Sequence, residues 1–116
     1  MNDLSMTDYQ MAAAETGIYP GHGEATTEAI GYTVLGLVGE AGEIANGFKK
    51  SIRDEDGVVT AEKAQALAAE LGDVLWYVAN LASELGYPLE LIAKQNLQKL
   101  KSRAARGVIS GSGDNR

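Results

Sequence analysis

Two segments, Leu37-Val38-Gly39-Glu40-Ala41-Gly42-Glu43-Ile44 and Leu67-Ala68-Ala69-Glu70-Leu71-Gly72-Asp73-Val74, lie 30 residues apart and share one pattern. Each reads leucine, two small or apolar residues, glutamate, one residue, glycine, a second acid, then a β-branched residue. At about 100° per residue on a helix, the two acids of each pair fall within roughly 60° of one another, at one edge of the apolar stripe. If the two stripes pack together, Glu40, Glu43, Glu70 and Asp73 converge. Four convergent carboxylates repel, and apolar surroundings raise their pKa values unless a cation lies between them. The chain has no cysteine and a single histidine, His22, so thiolate chemistry and cysteine-based metal sites are excluded. Any metal is bound mostly by oxygen, which points to Mg²⁺, with Mn²⁺ as the alternative.

Glycine next to each second acid, Gly42 and Gly72, leaves room for an ion and a ligand to approach the helix. Gly31, Gly36, Gly39, Gly42 and Gly47 all fall in one predicted helix. Each costs on the order of 1 kcal/mol relative to alanine, and a purely structural helix has little reason to carry them.

A complementary set lies further on. Asn96, Lys99 and Arg103 border an apolar stripe of Leu89, Ala93, Leu100 and Ala104. An amide and two cations there can hold phosphate oxygens while the carboxylates hold the metal. Tyr77 lies one turn after Asp73 and Asn80 one turn beyond Tyr77, so both are expected beside the metal. Trp76 is expected on another face, in the core or a subunit contact, and His22 in an exposed loop. Lys49, Lys50 and Arg53 are further cations past the first motif.

The elements that must position these residues are helical. Thr7-Asp8-Tyr9-Gln10 fits a capping box, predicting a short helix to Gly17. Ile18 to Gly23 reads as a loop. Ile30, Val34, Leu37, Ala41, Ile44 and Phe48 have the spacing of an amphipathic helix over about 26–52. Asp54-Glu55-Asp56-Gly57 is a solvated turn that lacks calcium-loop spacing. Thr60 caps a third helix with Leu67, Leu71, Val74, Val78, Leu81 and Leu85 as its stripe, closing at Gly86. Pro88 suits the first turn of a fourth, which runs to about Arg106 and stops at Gly107. Strand-like alternation never persists, so the chain reads as one all-α domain over 1–106 with a glycine-rich tail over 107–116. That tail is either flexible or reaches a neighbouring site.

Composition agrees with a folded domain: 116 residues, 45% hydrophobic and 22% charged. The net charge of −6 argues against binding polymeric nucleic acid or anionic lipid. The charge is uneven, since residues 94–116 hold Lys94, Lys99, Lys101, Arg103, Arg106 and Arg116 against Asp114 alone. The opening MNDLSMTDYQ lacks signal-peptide character and no uncharged apolar run reaches a membrane span, so a cytoplasmic protein is expected.

The spacing Glu40-x-x-Glu43, then Glu70-x-x-Asp73, on helices resembles the MazG-like branch of the all-α NTP pyrophosphatase superfamily. The resemblance extends to Tyr9-Gln10, to Gly36 through Glu43, to Glu70 through Tyr77 and to Asn96-x-x-Lys99-x-x-x-Arg103. It implies a four-helix-bundle type domain, assembled as a dimer or a dimer of dimers (a homotetramer), with sites built from more than one subunit. It also implies hydrolysis of a (d)NTP between the α- and β-phosphates, giving a monophosphate and pyrophosphate with Mg²⁺ or Mn²⁺. By family pattern Glu40, Glu43, Glu70 and Asp73 are the metal ligands, and Glu40 or Glu43 also orients the attacking water. Asn96, Lys99, Arg103, Tyr77 and Asn80 are then the substrate-binding set. The chain is similar to short, often phage-borne forms that adjust deoxynucleotide pools, with dGTP among the substrates to consider. The competing expectations are a pyrimidine-specific dUTP or dCTP pyrophosphatase, a phosphoribosyl-ATP activity, and a helical module that binds metal or a basic partner without turnover.

Overall fold

The structure, a computed structural model, describes residues 3–116. It contains α1 (Met6–Glu15), α2 (Thr27–Asp54), α3 (Ala61–Glu84) and α4 (Leu89–Ala105), with no strand among the described residues. The all-α expectation holds.

Each of the first three helices starts where a hydroxyl satisfies otherwise orphaned backbone amides. Ser5, not Thr7, caps α1: its side chain accepts from the Asp8 amide at 3.0 Å, and the Asp8 carboxylate accepts from the Ser5 amide at 3.4 Å. Thr7 lies inside the helix, and its hydroxyl donates to Glu90 on α4. Thr26 and Thr60 cap α2 and α3. Pro88 is the N-cap of α4, not a residue of its first turn, because its extended backbone (φ −64°, ψ 131°) precedes the first helical residue. Helix α2 runs two residues past the expected Ile52 and ends in the acidic turn, where Asp56 and Gly57 both take positive φ.

Helices α2 and α3 form a long antiparallel hairpin, with Gly47 against Leu67 near the turn and Gly36 against Tyr77 further along. A Cβ on Gly47 would lie 3.1 Å from Leu67 Cδ2, so glycine permits close approach there. Helix α1 lies antiparallel along the second half of α3: Gln10 donates to Ser83 and to the Tyr87 carbonyl, Asn80 to the Ala13 carbonyl, and the Trp76 indole to Thr16. Helix α4 touches α1 and α3 but not α2.

The buried hydrophobic residues among those described are Ala13, Tyr19, Ala29, Ala79, Ala82 and Leu89. Four of these are alanines, so the private core is thin. Leu35, Val38 and Ile52 on α2 remain 74%, 65% and 58% exposed, and Leu71 and Leu85 of the expected α3 stripe are exposed too. The radius of gyration is 17.0 Å, against roughly 13 Å for a compact chain of about 100 residues. No described helix is long and apolar enough to cross a membrane.

The tail does not project freely. Asp114 accepts from Lys99 at 2.6 Å and from Arg103 at 3.2 Å, and its backbone carbonyl accepts from Arg103 as well. Arg116 donates back to the carbonyls of Val108, Ile109 and Gly113. The last residues therefore fold over the end of α4.

Candidate active site

Glu40 on α2 and Glu70 and Asp73 on α3 each offer a carboxylate oxygen, and the three oxygens lie within 4.8 Å of one another. The hairpin brings them together because each borders the stripe through which α2 and α3 pack. Glu70 is the first cause of an upward shift at the Glu40 carboxyl, followed by burial and by the charges of Asp73, Glu70 and Glu43. No lysine or arginine forms an ion pair with these acids among the described residues. Crowded, uncompensated oxygen ligands fit a hard divalent ion with metal–oxygen distances of about 2.0–2.6 Å. Glu43 stands outside this trio, exposed, and lines a neighbouring cavity with Glu70.

A cavity of about 360 Å³ opens beside the trio, lined by Thr16, Glu40, Asp73, Trp76 and Tyr77. Gly36 makes room for Tyr77, since a Cβ there would overlap the phenol ring. Burial, then the neighbouring Tyr32 and the charge of Glu40, raise the Tyr77 phenol. Trp76, expected on another face, lines this cavity with Tyr77. Its indole N–H donates to Thr16 Oγ1 at 2.7 Å, and its ring stands edge-on to Tyr77 with centroids 4.9 Å apart.

Asn80 is not in the wall of this cavity. It is buried one turn behind Trp76, and its amide donates to the carbonyls of Ala13 and Trp76. Asn96, Lys99 and Arg103 are not brought to the acids within the chain either: α4 makes no contact with α2, and Lys99 and Arg103 pair with Asp114 and not with Glu70 or Asp73 on α3. Asn96 is exposed, while Lys99 and Arg103 are held by Asp114.

The loop before α2 is fixed by a residue that sequence reading passed over. Glu84 is buried at the end of α3 and accepts from the Tyr19 hydroxyl, from the Gly23 amide at 2.8 Å and from the Ala25 amide at 3.0 Å. Burial alone pushes its carboxyl up. The three donors and the nearby His22 outweigh that and hold it below the usual carboxylate range. Tyr19 in turn stacks on Tyr32 at 5.2 Å and meets Trp76 edge-on at 6.3 Å. His22, expected in an exposed loop, is half-buried and edge-on to Tyr19. An aromatic wall thus continues from the loop to the acids.

The family model for the MazG nucleotide pyrophosphohydrolase domain matches residues 30–108. This chain belongs to the MazG nucleotide pyrophosphohydrolase family. The MazG domain spans α2, α3 and α4, and so includes all four acids of the double motif. Among curated proteins the chain is 58% identical over 109 residues to Gene 37 protein of Mycobacterium phage L5, covering 93% of this chain and 96% of that protein. No solved structure matches the chain. Thr16 and Glu84 lacked any local motif.

Proposed function

We propose that this MazG domain hydrolyses a (d)NTP between the α- and β-phosphates, yielding a monophosphate and pyrophosphate, with Mg²⁺ as cofactor and Mn²⁺ able to replace it. The observation that carries this reading is the uncompensated cluster of Glu40, Glu70 and Asp73 beside a cavity walled by Trp76 and Tyr77. Glu43, one turn from Glu40, completes the metal-binding acids of the double motif. When bound, the metal neutralises phosphate charge and lowers the pKa of a coordinated water.

The chain's own groups supply the rest. Trp76 and Tyr77 give flat apolar surface for a base, and Thr16 keeps the indole in register. Glu40 or Glu43 orients the attacking water, whose oxygen forms a new bond to the α-phosphorus. The bond from that phosphorus to the bridging oxygen breaks, its electron pair leaves with pyrophosphate, and the water's proton passes to a carboxylate and then to solvent.

The exposed apolar residues of α2 and the extended shape support assembly as a dimer or a dimer of dimers. In such an assembly Asn96, Lys99 and Arg103 serve a neighbouring subunit's substrate, reaching phosphates that they do not reach within their own chain. Deoxynucleotides in the cytoplasm, dGTP among them, are the substrates to test first.

The experiment is incubation with each (d)NTP and Mg²⁺ or Mn²⁺, followed by separation of products. Monophosphate and pyrophosphate in equal amounts are expected. Absence of turnover with every nucleotide would leave a binding module instead.

A further inference from the structure

Along the α2–α3 hairpin the acid cluster has a cavity on each side. Towards Gly36 and Tyr77 lies the aromatic cavity already described. Towards the turn lies a second, of about 160 Å³, whose lining includes Glu43, Asn46, Lys50, Lys63, Leu67 and Glu70. Lys50 follows Glu43 by seven residues and Lys63 precedes Glu70 by seven, about 10 Å of helix in each case. One or two phosphate groups and an extended lysine side chain fill that span.

Neither lysine forms an ion pair among the described residues. The acid beyond them, Asp54, is bound by Arg53 through two hydrogen bonds of 2.7 and 2.8 Å, and the charges of Lys50 and Lys63 help to lower its carboxyl without pairing with it. Lys50 and Lys63 are therefore the cations that share a cavity with the acids of this chain, whereas Lys99 and Arg103 are held by Asp114 at the end of α4.

We propose that the Lys50–Lys63 cavity receives the β- and γ-phosphates, so that the nucleotide lies along the hairpin with its base against Trp76 and Tyr77 and its pyrophosphate end towards the α2–α3 turn. This assignment rests on the pyrophosphohydrolase reading of the acid cluster. It gives each end of the substrate its matching chemistry: flat apolar surface for the base, and two ammonium groups for the charge that develops on the departing pyrophosphate.

Inorganic pyrophosphate with Mg²⁺ is the probe. In Lys50→Gln and Lys63→Gln the inhibition constant for pyrophosphate is expected to rise about tenfold each, with KM for the triphosphate rising alongside. Inhibition by the monophosphate product should stay within twofold of wild type, because its base and α-phosphate lie elsewhere. Arginine at either position should restore most pyrophosphate affinity, and Lys94→Gln, on α4, should change nothing. An unchanged pyrophosphate constant in the Lys50→Gln/Lys63→Gln double variant overturns the assignment. If the wild-type protein turns over no nucleotide, the parent reading fails. Calorimetric titration of Mg²⁺-pyrophosphate into wild type and the double variant then still decides the cavity: equal or absent binding rejects it, and loss in the variant alone supports it.

Discussion

The Tyr77 ring on α3 lies directly over Gly36 on α2, where any side chain would collide with it. Gly36→Ala therefore sets a gain against a displacement. Alanine improves helix propensity by about 1 kcal/mol, while its methyl group moves the Tyr77 ring out of the cavity wall. The expected outcome is a melting temperature close to wild type, with KM for the triphosphate raised about three- to tenfold and a smaller change in kcat. Steady-state kinetics beside a thermal melt measure both terms. An unchanged KM would remove Tyr77 from the substrate wall.

Asp73→Asn and Glu43→Gln test the two halves of the double motif. Both variants should fold and assemble like wild type, since both residues are exposed and neither is held by a hydrogen bond or an ion pair among the described residues. Turnover should fall by about 10²- to 10⁴-fold in each. Calorimetry with Mn²⁺ should show weakened binding in Asp73→Asn. Near-normal turnover in either variant would sink the metal assignment.

Glu84 ties the loop to α3 through charge. In Glu84→Gln one face of the amide turns a donor towards the donors of Tyr19, Gly23 or Ala25, at an expected cost of about 2–4 kcal/mol. Tyr19→Phe removes a single donor and should cost about 1–2 kcal/mol. The pH dependence follows from the lowered Glu84 pKa. Its stabilising contribution is complete above the ordinary carboxyl value of 4.5 and is lost as pH falls through the lower folded-state value. Urea unfolding from pH 7 down to about pH 3 should show a steeper acid loss in wild type than in Glu84→Gln.

The tail offers a contrast between an exposed and a buried partner. Asp114 is 75% exposed at its side chain, while Arg103 is only 7% exposed. Lys99 and Arg103 hold the Asp114 carboxyl below its usual range. Asp114→Asn should lower the melting temperature only slightly, and the difference should vanish in high salt. Arg103→Ala should cost about 1–3 kcal/mol at any salt concentration, because it also removes the buried stem and the bond to the Asp114 carbonyl. Thermal melts at low and high ionic strength separate the two.

Much of this architecture was legible in the chain. Helical periodicity, Thr60 as a cap, and Gly86 and Gly107 as stops placed the helices to within a few residues, because those signals are local. The double acidic motif was legible for the same reason: its spacing determines which face of each helix carries the acids. Competition between local signals was harder to read. Ser5-x-x-Asp8 and Thr7-x-x-Gln10 both fit a capping box, and the Asp8 side chain reaching back to the Ser5 amide prevails. What the sequence did not display were partnerships across distance. Trp76 turns into the cavity because Thr16, 60 residues away, accepts its N–H. Glu84 becomes a structural anion because its donors lie 59 to 65 residues away. A glycine-rich tail gives no apolar pattern, so its return to α4 rests on Asp114 and Arg116 alone.

Those distant ties also set an order of assembly. Helices α2 and α3 meet through a short turn, so their hairpin closes a small loop and forms with little entropy lost. By contrast, α1 and the loop behind it are joined to the end of α3 by bonds such as Gln10 to Ser83 and Glu84 to Gly23, which span 73 and 61 residues. The N-terminal segment should dock last in folding and detach first in native-state hydrogen exchange. Because that segment carries Thr16 and Tyr19, its opening loosens the aromatic end of the cavity while the acid cluster stays assembled. Access to the aromatic cavity and integrity of the acid cluster are then governed by two separate cooperative units of one small chain.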